Sequence, residues 1–87
     1  MDDRHKRLRF RAWRRGFREI DLILGPFADR RSDELDETGL SAFEALLDAP
    51  DQDVYDWITG AAPAPAEYDT PVLASIQQFR LELNARP

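Results

Sequence analysis

The sequence has no cysteine and a single histidine, His5, in 87 residues. The first absence excludes disulfides and any zinc site built on thiolates. The second leaves no Ser/His/Asp or Cys/His arrangement for a nucleophilic active site, so no catalytic residue is expected. No apolar run approaches the ~20 residues of a membrane-spanning helix. The start, Met-Asp-Asp-Arg-His-Lys, is polar and offers no secretory apolar segment. β-Branched residues are scarce and period-two alternation is nowhere sustained, which argues against strands. At this length one domain with a marginal core is expected.

Charge is plentiful but unevenly placed. The net charge is −5, yet residues 1–31 carry ten basic side chains against five acidic ones, and residues 32–87 carry two basic against twelve acidic. Such a split implies either an intramolecular complement or a basic face for an acidic partner. Eleven of the twelve cations are Arg. The planar guanidinium fork suits carboxylates and phosphates, although a GC-rich genome favours Arg as well.

Helical periodicity accounts for most of the chain, and an all-α bundle of about five short helices is expected. The first helix should run from Asp3 to Arg15, capped by Asp2 or Asp3, with Phe10, Trp13 and Phe17 as an aromatic stripe. Gly16 is costly in mid-helix and therefore marks a helix end or a tight junction. A second helix covers Phe17 to Ala28 through Ile20, Leu24 and Phe27, with Pro26 kinking or ending it. Asp29 to Asp36 reads as a polar connection. Leu35 and Asp36 read as staple and N-cap of a third helix, which buries Leu40, Phe43 and Leu47. Pro50 stops that helix, and Asp51 caps a fourth containing Val54, Trp57 and Ile58, closed by Gly60. Ala61 to Ala66 is an extended linker. Thr70 and Pro71 start a fifth helix with Val72, Ile76, Phe79 and Leu83, which either packs on the bundle or faces a partner. The organisation expected is one domain over 1–87, with a core at 4–60, a linker at 61–69 and a C-terminal helix at 70–84.

Few features could carry chemistry. Asp48, Asp51, Asp53 and Asp56 cluster, but counted from Asp51 the sixth position is Asp56 and the twelfth Ala62, where a calcium loop needs Gly and Glu. They read as caps and solubilising charge, and no metal site is expected. The basic first segment has the footprint of a nucleic-acid binder, but the isoelectric point of about 4.7 and the acidic second half oppose it. The apolar face of that segment is too narrow for a lipid anchor. The densest feature is Arg14-Arg15-Gly16-Phe17-Arg18-Glu19. If a helix runs through it, Glu19 falls within reach of Arg15, and the pair is a solvated contact worth a few tenths of a kcal/mol. Against that reading stands Gly16, since a purely solubilising face has no need of a glycine.

At Arg15-Gly16-x-x-Glu19 the sequence resembles the SdhE-type FAD assembly factors of succinate dehydrogenase, found in bacteria and mitochondria. Their Arg-Gly-x-x-Glu motif is followed by an acidic-apolar run and a Pro-Phe pair, here Asp21-Leu22-Ile23-Leu24-Gly25-Pro26-Phe27. Phe43-Glu44-Ala45-Leu46-Leu47 and Pro50-Asp51 to Trp57-Ile58-Thr59-Gly60 continue the likeness in order over roughly residues 7 to 60. Arg18 departs from the pattern, which often has an apolar or smaller residue there.

The resemblance implies a compact bundle of about five helices that binds the flavoprotein subunit of succinate dehydrogenase, and in some members that of fumarate reductase. It implies that the protein promotes covalent attachment of FAD to a His of that subunit. By analogy Arg15, Gly16 and Glu19 belong to the partner-facing surface, and Arg9 and Arg11 join them on charge grounds. The chain is expected to bind no cofactor of its own, having no Gly-rich phosphate loop, and to act on the FAD of its partner. Early acids and a motif beginning by Arg15 leave little room for a transit peptide, so a bacterial cytoplasm is expected, or a mitochondrial matrix for a mature eukaryotic form. The rival readings are an antitoxin-like or other protein-interaction module and a small nucleic-acid binder.

Overall fold

The computed structural model describes residues 3–85. Five α-helices follow one another: α1 (Asp3–Ala12), α2 (Arg18–Arg31), α3 (Glu37–Asp48), α4 (Asp51–Thr59) and α5 (Pro71–Ala85). Short 3-10 turns lie at Ser32–Glu34 and Ala66–Tyr68. Among the described residues there is no strand, and no helix is long and apolar enough to cross a membrane. The all-α bundle inferred from periodicity is the fold. The Asp2 cap lies outside the described residues.

The core is centred on Phe27 of α2. Its ring meets Phe43 of α3 edge-on at 5.5 Å and Phe79 of α5 edge-on at 5.6 Å. This is the favoured arrangement of aromatic quadrupoles. Ile20 and Leu24 extend the α2 stripe, Leu40 and Leu47 the α3 stripe, and Val54, Trp57 and Ile58 close the layer from α4. Val72, Leu73 and Ile76 are buried as well, so α5 belongs to the bundle interior and not to a detached arm. Thr70 Oγ1 accepts from the Leu73 backbone N–H at 3.3 Å and caps that helix. The segment before it is pinned too. Tyr68 stacks on Trp57 at 4.8 Å, and Gln77 Nε2 donates to the Trp57 carbonyl at 3.0 Å, satisfying an acceptor in the last turn of α4.

Three local expectations change. α1 stops at Ala12 and not at Arg15, and its last turn tightens as Arg14 N–H donates to the Arg11 carbonyl at 3.1 Å. The aromatic stripe therefore does not form. Leu8 and Ala12 are the buried residues of α1, while Phe10 is 61% exposed. α2 continues through Pro26 to Arg31, absorbing part of the supposed connection. The residue before a proline is normally kept from helical angles by clashes of the proline ring with its N–H and its Cβ, and Gly25 lacks the second of these. The carbonyl that loses its donor belongs to Leu22, an exposed residue, so water can serve it. Finally, Pro50 and not Asp51 stands at the N-cap of α4. Asp36 does cap α3, accepting from Gly39 N–H at 2.8 Å, and Gly60 closes α4 at φ 86°.

Candidate functional site

One edge of α1 is joined to α3 and the start of α4 by arginines. Arg4 pairs with Glu37 and Glu44, the latter at 2.8 Å, and also donates to Ser41 Oγ at 3.1 Å. Arg11 pairs with Asp48. Arg15 closes the series on Asp51 at 2.6 Å. Hydrogen bonds from Arg4 hold the Glu44 carboxyl below the usual carboxylate range, and its two carboxylate partners raise the Arg4 guanidinium further above its ordinary value. Much of the charge split is thus an internal complement.

Arg15 is the deepest of these groups, with its side chain only 6% exposed. Besides Asp51 it donates to the carbonyls of Leu47 and Ala49, the latter at 2.8 Å, and so binds the last carbonyls of α3 where that helix runs out of partners. Burial pushes the guanidinium below its ordinary value and the Asp51 charge opposes that push. Its own backbone N–H donates to Asp21 Oδ1 at 2.8 Å, which ties the loop to the first turn of α2. Gly16 follows, exposed and without a positive φ. Its role is steric, because a Cβ there would collide with the Asp51 carboxylate. Gly16 therefore makes room for the acid that holds Arg15.

The α1–α2 elbow is braced from the other side. The Trp13 ring lies on Gly25, where any Cβ would enter it, and Nε1 donates to Asp29 Oδ2 at 3.0 Å. Phe17 meets Tyr55 of α4 edge-on at 5.3 Å. The loop 13–17 is consequently fixed to α2, α3 and α4 although it has no regular structure.

The outward side differs. Lys6, Arg7, Arg14 and Arg18 are exposed and form no ion pair among the described residues. The Arg14 guanidinium sits over the Phe10 ring at 4.4 Å, with both groups in solvent. Phe10, Arg14 and Gly16 line one shallow cleft of about 400 Å³ with Leu47, Asp51 and the ion-paired Arg11 and Arg15. Glu19 is exposed in the first turn of α2, where the helix dipole favours it.

Of the residues singled out in the sequence, Gly16 and Glu19 are at the surface, Arg15 points inward, Arg11 is engaged with Asp48, and Arg9 is half-buried. Arg15 and Glu19 do not pair, because the chain between them is not helical. Two participants escape a reading of the sequence. Asp51 reads as a cap, and no local signal ties it to Arg15. Trp13 reads as part of a stripe, although a glycine beside a proline, Gly25-Pro26, hints at a close approach.

Fold and site together define a small all-helical protein that displays a glycine-centred basic loop on a scaffold of internal ion pairs. Residues 6–80 match the family described as the flavinator of succinate dehydrogenase, and the chain belongs to that family. It is 39% identical over 70 residues to the FAD assembly factor SdhE of Acetobacter pasteurianus, covering 80% of this chain and 64% of that protein. It is 39% identical over 72 residues to the mitochondrial succinate dehydrogenase assembly factor 2 of Dictyostelium discoideum, covering 83% of this chain and 51% of that protein. The corresponding protein of Drosophila grimshawi is 32% identical over 77 residues, covering 86% and 52%. The chain thus spans between about half and two thirds of the length of these relatives.

Proposed function

We propose that this protein binds the flavoprotein subunit of succinate dehydrogenase and promotes the covalent attachment of FAD to it. The observation that carries the reading is the outward face beside the motif. Arg4, Arg11 and Arg15 are neutralised internally, whereas Arg14, Arg18 and Glu19 form no ion pair among the described residues and lie near an exposed Phe10 and an exposed Gly16. Unpaired charge beside an exposed ring and a residue without a side chain is a surface suited to close protein contact.

The names of the relatives support the same reading. The attachment chemistry joins a flavin methyl carbon to a His of the flavoprotein, and the reacting groups reside in that subunit. The present protein supplies binding energy, which selects the arrangement of the flavoprotein in which His and flavin meet. It acts without a catalytic group of its own. Within the motif, Arg15 holds the loop from inside, while Gly16 and Glu19 meet the partner. The fumarate reductase flavoprotein is a second client of the same kind.

The test is the purified flavoprotein with FAD, with and without this protein. Covalent flavin is read as fluorescence of the denatured subunit in a gel. Stimulation of that signal, and a complex on size exclusion that weakens as salt rises, are the expected results. No complex at low salt would contradict the reading.

A further inference from the structure

Glu19 does not stand alone on its side of the molecule. It lies at the edge of a second cleft, of about 330 Å³, formed where α2, α4 and α5 meet. Leu22 and Ile23 of α2, Tyr55 of α4 and Leu83 of α5 line it, and Arg80 of α5 borders it. Leu22 is 48% exposed, so part of its side chain is open to a partner. Neither Glu19 nor Arg80 forms an ion pair among the described residues. On α5 itself the neighbouring acid, Glu82, is already engaged by Arg31 at 3.2 Å. The cleft therefore combines apolar side chains and Asn84 with one carboxylate and one guanidinium that form no ion pair among the described residues. Tyr55 also links it to the motif, since the same ring receives Phe17, the residue after Gly16.

We propose that this cleft is a contact site for the flavoprotein partner and accepts an apolar side chain flanked by a cation and a carboxylate. The cation meets Glu19 and the carboxylate meets Arg80. The inference rests on the flavoprotein reading above and extends its contact surface from the motif across α2 to the C-terminal helix. Charge complementarity fixes the class of the occupant: a segment with only acidic groups would be repelled at Glu19, and one with only basic groups at Arg80. An apolar group between them desolvates both charges and strengthens each contact.

The experiment measures affinity for the purified flavoprotein subunit by biolayer interferometry at low salt. Arg80→Glu is expected to weaken binding about tenfold, Arg80→Lys by about twofold at most, and Leu22→Ser about fivefold. Neither side chain has a charged partner among the described residues or full burial, so melting temperatures should stay close to that of the unmodified chain. Unmodified protein that binds while Arg80→Glu and Leu22→Ser bind equally well would overturn the cleft and leave the flavoprotein reading standing. Unmodified protein that fails to bind would overturn both. Glu19 of one copy could also meet Arg80 of another, so size exclusion of the protein alone is included. A dimer that Arg80→Glu dissolves would assign the cleft to a second copy and overturn the proposal.

Discussion

Arg14 and Arg15 are adjacent, identical in type and equally charged, and they occupy different solvents. The Arg15 side chain is largely buried at the end of α3 and the start of α4, with two carbonyls and a carboxylate as partners. Arg14 lies over an exposed ring with no ion pair among the described residues. The difference teaches that a charged motif can be part scaffold and part surface. A buried guanidinium is stabilising only while every partner stays in place, whereas an exposed one can be removed with little effect on the fold.

The sharpest way to break the comparison is to truncate both residues. Arg15→Ala should cost about 2–4 kcal/mol, because it strands two helix-end carbonyls and a half-buried carboxylate. For a domain of this size that corresponds to a fall in melting temperature of about 10 °C or more. Arg15→Lys should restore little, since one ammonium cannot span the fork geometry. Gly16→Ala should cost about 1–2 kcal/mol by crowding Asp51. The effect should shrink in an Asp51→Ala background, and that non-additivity, read from a thermal double-mutant cycle, identifies the contact.

A weaker effect concerns pH. Glu44 is held below its unfolded value of 4.5 by Arg4, so its contribution is complete above that value and is lost as pH falls through the lower folded value. Melting curves across the acid limb should therefore drop less steeply for Glu44→Gln than for the unmodified chain. The smallest effect is that of Arg14→Ala, which should move stability by no more than about 0.5 kcal/mol while weakening association with the flavoprotein.

Most of the scaffold is legible in the sequence. Periodicity places Phe27, Phe43 and Phe79 inward, and the cap chemistry of Asp36, Thr70 and Gly60 locates helix ends. The departures have physical causes. Proline disfavours helical angles at the residue before it in part through that residue's Cβ, which Gly25 lacks, and the hydrogen bond Pro26 cannot make falls at exposed Leu22. A stripe of Phe10, Trp13 and Phe17 requires one continuous helix, but Arg15 gains more by leaving helical geometry to reach Leu47, Ala49 and Asp51. That partnership spans distant parts of the chain, so no local pattern can announce it. Glu19 and Gly16 are marked by the motif, whereas the cleft between Glu19 and Arg80 depends on how α2 and α5 pack.

The division within the motif is tested most directly by measuring melting temperature and flavoprotein affinity together for Glu19→Gln and Arg15→Ala. Glu19→Gln should melt with the unmodified protein and bind the flavoprotein at least about tenfold more weakly. Arg15→Ala should lose stability first. A Glu19→Gln protein that melts as low as Arg15→Ala, or that binds as tightly as the unmodified chain, would contradict the assignment of Glu19 to the surface and Arg15 to the scaffold.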